Sequence, residues 1–328
     1  MSDPATNDPA TSDRPVGDPS EPRLRHATAA DQDAVADLIC ISTNYWYRAS
    51  GKPPIFQRGP ETCRVFWDVY EAMDPGCCVV AEDPRTGHLM GSCFYRERPT
   101  HVALGIMNAH PNYFGRGVAN RLLRFITDRA DAAGKPVRLV SSAMNLDSFS
   151  LYTRGGFHPR ALFHDMIVPA DRVATGPAKY DASRVRPATA ADVPAIADLE
   201  WRVSRIRREQ DWRHMTENAA GVWHVAVSTA ADGTVDGALS SIQHPASNML
   251  GPGVMTGDDA AAGLVAYQLA RRGTGTPPLF LVPADRPALV RTIYGWGGKN
   301  IELHLFQARG EAQPFAGVAM PTFMPETG

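Results

Sequence analysis

The sequence predicts an α/β (α+β) protein made of two tandem copies of one unit, each a β-sheet flanked by helices. Three features carry that reading. His101–Ala130, HVALGIMNAHPNYFGRGVANRLLRFITDRA, passes from an apolar strand through a turn at Gly115-Arg116-Gly117 into an amphipathic helix. Around it, short β-prone runs alternate with segments of helical periodicity. Arg25-His26-Ala27-Thr28-Ala29-Ala30-Asp31 recurs as Arg186-Pro187-Ala188-Thr189-Ala190-Ala191-Asp192, which marks the second half as a copy of the first.

At 328 residues the chain has room for two domains of ordinary size, each with its own core. A hydrophobic content of 44% and a charged content of 21% describe a globular protein. The net charge of −2 gives no reason to expect a nucleic-acid or membrane partner. No apolar run reaches transmembrane length and no signal-peptide pattern is present, so a cytoplasmic location is expected. The first 22 residues are rich in Pro, Asp, Ser and Thr and are expected to form a disordered tail. The five cysteines (Cys40, Cys63, Cys77, Cys78, Cys93) have neither zinc-site nor C-x-x-C spacing, and read as small buried hydrophobes. The ten histidines form no H-E-x-x-H cluster, and no metal is expected.

Leu24-Arg25-His26 is expected to be a strand, and Thr28 to cap a helix from about Ala29 to Ile41. The aromatic and basic segment Asn44–Arg58 leads through a Pro-containing loop to a second helix, from Pro60 to about Met73. Asp74-Pro75-Gly76 ends it. Cys77–Glu82 and Leu89–Arg96 should form a hairpin, followed by the strand, turn and helix of 101–130. Gly134 and Pro136 close that helix, and Val137–Ser142 is a further strand.

Val118, Leu122 and Ile126, with Ala119 and Leu123, form the helix's apolar face; Arg121, Arg124, Asp128 and Arg129 cover much of the other. The two glycines leave room for a ligand to approach the backbone where the first helical turn has unpaired N–H groups. Such an N-terminus binds phosphate, and Arg116 adds a positive charge. A Walker A loop is absent. A dinucleotide fingerprint fails because Asn120 stands at its third glycine position and no acidic residue lies near Val140. Taken alone, the stretch is also compatible with a plain helix start holding two flexible glycines.

The stretch resembles the acetyl-CoA-binding motif of the GNAT superfamily of N-acetyltransferases, in which a strand ending V-x-P precedes [Q/R]-x-x-G-x-[G/A]. Here the strand ends Ala109-His110-Pro111 and the loop is Phe114-Gly115-Arg116-Gly117-Val118-Ala119, with Phe114 where the family has Arg or Gln. Asn145–Phe157 resembles the second signature, N-x-x-[SA]-x-x-[LF]-Y-x-x-x-G-F, in register at Asn145, Ser148, Leu151, Tyr152, Gly156 and Phe157. The resemblance covers about Leu24 to Val168 and implies a mixed, strongly twisted sheet with helices on both faces.

It also implies a chemistry. Acetyl-CoA would lie between the strand ending at Pro111 and the strand ending near Ser142, and its acetyl group would pass directly to a primary amine of a small molecule. Backbone groups of Met107, Asn108 and Ala109 would pair with the pantetheine arm. The N–H groups of Phe114, Gly115, Arg116, Gly117, Val118 and Ala119 would hold the pyrophosphate. Asn145, with Ser148 of the same signature, would steady the pantetheine amide, and Tyr152 would be the general acid. The general base stays open among His110, Glu61, Asp68, Glu71 and solvent. Tyr45, Tyr47 and Arg48 lie where relatives bind the acceptor, although they equally suit a helix end that covers the core.

These readings divide the chain into a tail (1–22), a catalytic domain (23–170), a linker (171–182) and a degenerate second domain (183–328). In the second copy, His224–Val227 and Val235–Ile242 form the hairpin, and Leu250-Gly251 precedes Gly263 by thirteen residues, as Leu104-Gly105 precedes Gly117. Ile293-Tyr294-Gly295-Trp296-Gly297-Gly298 echoes Leu151–Gly156. That alignment puts Asp258 and Asp259 at the loop start, Ala261 and Ala262 in place of Gly115 and Arg116, and Pro287 in place of Asn145. The second copy is therefore expected not to bind coenzyme A, and to pack, shape the acceptor pocket or form a homodimer. Two rivals remain: a non-catalytic acyl-CoA-binding sensor acting through the second domain, and a scaffold that binds no cofactor.

Overall fold

A computed structural model describes residues 21–177, 181–272 and 275–324. The expected tail lies outside the described residues except for Glu21 and Pro22, as do linker residues 178–180. The linker opens inside a one-turn helix, α5 (Ala170–Val173).

The first half runs β1 (Arg23–His26), α1 (Gln32–Ala49), α2 (Arg64–Met73), β2 (Cys78–Glu82), β3 (Leu89–Glu97), β4 (Val102–Ala109), α3 (Val118–Ala132), β5 (Val137–Ser142), α4 (Leu146–Arg154) and β6 (His158–Ile167). The second half repeats the order with β7 (Val185–Pro187), α6 (Val193–Ser204), α7 (Glu209–Glu217), β8 (Trp223–Thr229), β9 (Val235–His244), β10 (Ser247–Met255), α8 (Asp258–Arg272), β11 (Leu279–Pro283), α9 (Pro287–Gly295) and β12 (Lys299–Arg309), then adds β13 (Val318–Met320). The repeat is physical as well as textual. Arg25 pairs with Asp31 at 2.8 Å while Asp31 accepts the Thr28 N–H; Arg186 pairs with Asp192 at 2.7 Å while Asp192 accepts the Thr189 N–H. Each device satisfies a free donor at a helix start.

All strands join one sheet in the order β1-β2-β3-β4-β5-β12-β6-β11-β10-β9-β8-β7, with β13 on β10. Described pairs are antiparallel except β4 with β5 and β10 with β11. The centre shows a strand exchange. β12 of the second half lies beside β5 (Ser142 opposite His304), and β6 of the first half lies beside β11 (Met166 opposite Phe280).

The expectation of a separate core for each half is corrected by this exchange. On one face of the sheet α1, α2, α6 and α7 share a single cluster that includes Ile39, Phe66, Ile196 and Trp212. On the other face the halves keep separate clusters, one under α3 and α4, one under α8 and α9. A buried ion network ties the halves: Asp211 of α7 meets Arg96 and Arg98, each at 2.6 Å, and Arg98 also meets Asp74 at 2.6 Å. The first helix also runs past its expected end at Ile41. Nothing breaks it before Gly51, and buried Asn44 exchanges hydrogen bonds with the Phe56 backbone, fixing the next loop against it.

Candidate active site

β4 and β5 pair only at Val102–Val137 and Ala103–Arg138. Beyond those residues they part, β4 staying paired to β3 through Ala109 and β5 to β12 through Ser142. Among the described residues, the backbone groups of Met107, Asn108 and Ala109 that face this gap meet no strand, and an extended ligand can add there as a strand does.

The gap leads to the glycine turn. After one 3-10 turn (Pro111–Tyr113), Gly115 has φ +78° and Gly117 φ +73°, so both use the left-handed region open to glycine. A Cβ built at either would meet nothing within 4 Å. The turn is thus open, and Gly117 caps α3 with Val118 and Ala119 following in its first turn. Such geometry fits a pyrophosphate held by backbone N–H groups. The Arg116 side chain is turned towards the protein, 3.9 Å from Asp83 and over the Tyr113 ring. An open depression of about 410 Å³, lined in part by Gly117, Asn120, Arg121 and Arg124, adjoins the turn.

Tyr152 is 6% exposed and sits in the cluster that holds Val102 and Leu104 of β4 and Val137 and Leu139 of β5. It therefore lies under the two strands that part. Asn145 caps α4 by accepting the Ser148 N–H at 3.1 Å, so its amide NH2 is what it can offer a ligand.

α1 crosses the far side of the gap. At one end Asn108 of β4 donates to its Ser42 hydroxyl at 2.5 Å. At the other, Lys52 lies 3.0 Å from Glu302 of β12, and the Tyr47 phenol lies near the same carboxylate. Ser142, the last residue of β5, also donates to Glu302. Burial, with the nearby Glu302 and Asp165 carboxylates, pushes the Tyr47 phenol well up. Asp165, raised by burial, meets His304 at 2.8 Å beside this group. Of the residues expected to meet an acceptor, Tyr47 joins this cluster. Tyr45 instead lies edge-on to exposed Phe114, 5.6 Å between centroids, and Arg48 is exposed at the helix end. Among the candidate bases, Asp68 and Glu71 are held by Gln32 and the Gly76 N–H, and His110 accepts the Asn112 N–H at 3.1 Å. Glu302 was not legible in the sequence as a site residue, because only strand exchange brings β12 to the first half's gap.

The second half repeats the parting and then closes it. β10 and β11 pair only at Met249–Leu279 and Leu250–Phe280. β13 then pairs antiparallel with Gly253, Val254 and Met255, filling the place that stays open beside β4. The link from β10 to α8 is only Thr256-Gly257, and Ala261, Ala262 and Gly263 are buried inside α8. This corrects the alignment of those residues with Gly115, Arg116 and Gly117: the loop has not been substituted, it is missing. Asp258 heads α8 near Arg286 (3.8 Å), and Arg286, rather than Pro287, holds the cap position of α9.

Residues 42–157 match the sequence model of the Acetyltransferase (GNAT) family. The UPF0157 protein YqkA of Bacillus subtilis (strain 168) is 30% identical over 73 residues, and the match spans only 21% of that relative's length. Among solved structures, a putative acetyltransferase from Pyrococcus horikoshii aligns over 94% of this chain and 93% of its own, with TM-score 0.70 and 11% identity. Saccharomyces cerevisiae N-myristoyltransferase with bound myristoyl-CoA aligns over 94% and 84%, with TM-score 0.60 and 14% identity. A tandem GNAT protein from the clavulanic acid biosynthesis pathway aligns over 89% and 100%, with TM-score 0.56 and 15% identity. At such identities the likeness is one of fold. The motif-bearing turn and the parted strands fall within the residues that match the Acetyltransferase (GNAT) family, 42–157, and the fold as a whole is like that of a tandem GNAT protein.

Proposed function

We propose that the protein is an acetyl-CoA-dependent N-acetyltransferase that passes the acetyl group directly to a primary amine of a small molecule. The observation that carries this reading is the parting of β4 from β5 beside an open turn with two left-handed glycines. A neighbour of like fold that holds myristoyl-CoA further supports an acyl-CoA donor. Acetyl-CoA supplies an acyl thioester, which is open to attack by a neutral amine. Met107, Asn108 and Ala109 offer gap-facing backbone groups to its extended arm. The N–H groups from Phe114 to Ala119, at the positive end of α3, take the pyrophosphate. A backbone N–H near Ala109 faces the charge that develops on the carbonyl oxygen. The Asn145 amide and the first turn of α4 at Ser148 steady the arm. Tyr152 holds a proton for the leaving sulfur.

The second copy, by this reading, carries no donor site. Calorimetry with coenzyme A should give one site per chain, and an amine-library screen that follows free thiol should find turnover. Binding without turnover on a broad panel would replace this reading by that of an acyl-CoA sensor, and no binding would overturn both.

A further inference from the structure

The acceptor end of the gap contains a cation box whose carboxylate comes from the other half of the chain. Lys52 Nζ lies 3.0 Å from Glu302 and 5.8 Å from the ring centroids of both Trp46 and Tyr47. The two rings stand at 88° to each other, 4.9 Å apart, so they wall the ammonium on two sides. The Glu302 side chain is only 6% exposed, and the Ser142 hydroxyl also donates to it. Neutral hydroxyls cannot balance a buried carboxylate; a cation must, and aromatic faces favour one. Lys52, 32% exposed on a flexible stem just past the end of α1, fills that place in the chain on its own.

Position gives the box its meaning. Ser142 ends β5 where the gap is open, and α1 ties Asn108 on the gap's other wall to the same group of residues. Lys52 and Ser142 both donate to Glu302, which suits that carboxylate to holding a cation.

We infer that this box is a subsite for a second cationic group of the acceptor, so that the substrate is a diamine or larger polyamine. Its one ammonium displaces Lys52 from Glu302 while another amine, neutral, faces the donor. The second half thus completes the first half's site by lending β12. This inference rests on the acetyltransferase reading.

Two measurements test it. With saturating acetyl-CoA, 1,4-diaminobutane should exceed n-butylamine in kcat/KM by about tenfold, since its second ammonium replaces Lys52 at Glu302 and keeps only part of the gain of a buried charge pair. Glu302→Gln, which keeps size and shape, should erase that preference through KM while coenzyme A affinity stays the same. Absence of the preference, or its survival in Glu302→Gln, overturns the inference and leaves the acetyltransferase reading standing. Independently of turnover, Lys52→Ala empties the box and should bind n-butylammonium about tenfold tighter than the Lys52→Ala/Glu302→Gln protein does, in calorimetric titration. Equal binding overturns the box whether or not coenzyme A binds. Failure of the wild-type protein to bind coenzyme A overturns the wider reading instead.

Discussion

The two halves part their central strands at matching places and then treat the gap differently. In the first half it stays open and ends in an eight-residue link, 110–117, with two left-handed glycines. In the second, β13 lies in the gap and the link shrinks to two residues. Parting a pair leaves backbone donors and acceptors that must find partners. One copy leaves them open; the other satisfies them with its own chain. On the function proposed above, it is this covering, more than the acidic pair Asp258 and Asp259, that leaves the second copy without a donor site.

The largest expected effect separates the two helices that follow the gaps. Tyr152→Phe should lower kcat by about 10²–10⁴-fold with little change in coenzyme A affinity. Tyr294→Phe, at the echoing position of α9, should change neither, since Tyr294 is 46% exposed beside a filled gap. Steady-state kinetics on both proteins decide, and a fully active Tyr152→Phe enzyme would remove this residue from the mechanism.

The next effect bears on whether the copies are separable. Asp211→Asn leaves two buried guanidinium groups without their shared carboxylate, and should cost about 3–5 kcal/mol. Both halves should melt together, as the shared cluster on one face and the single sheet require. Two resolved transitions in calorimetry would count against the shared core.

Gly117→Val tests the open turn. A β-branched residue at φ +73° fills the space beside the N–H groups, and coenzyme A affinity should fall tenfold to about a hundredfold, as for lost bonds to a charged group. The double change Asp258→Asn and Asp259→Asn should leave one coenzyme A per chain, because removing charge does not restore a loop. A second site of comparable affinity would break the contrast between the halves.

The smallest effect is one in which the copies should agree. Hydrogen bonds from Arg25 and Arg186 hold Asp31 and Asp192 down to about 2. Both folded values lie below the ordinary 3.8, so this stability is present above about pH 4 and is lost as pH falls through 2. Because both sites are partly solvated, Asp31→Asn and Asp192→Asn should each cost only about 1 kcal/mol at neutral pH. Melting temperatures from pH 5 to pH 2 check it: each variant should lose less with acid than the parent, by similar amounts.

Much of the candidate site was legible because it is local. The turn at Gly115 and Gly117, the Asn145–Phe157 signature and the apolar face of α3 each depend on residues close to one another in sequence. The two halves' matching caps were legible for the same reason. The end of α1 was not, since no breaker stands between Ile41 and Gly51 and the packing of Asn44 against the Phe56 backbone is set only in the folded chain. The second turn was misplaced for a related reason: alanines and a glycine in series do not reveal whether they line a loop or fill a buried helix.

By itself the sequence determined the order of many elements, the duplication and the place of one glycine turn before a helix, all of which rest on short-range pattern. Tertiary structure decided which strand lies beside which. Backbone hydrogen bonds carry no side-chain identity, and a strand's alternation tells which face it buries but not its neighbour. β12 next to β5, β6 next to β11 and β13 in the second gap are therefore settled only when the whole sheet closes, and with them the presence of Glu302 at the first half's site.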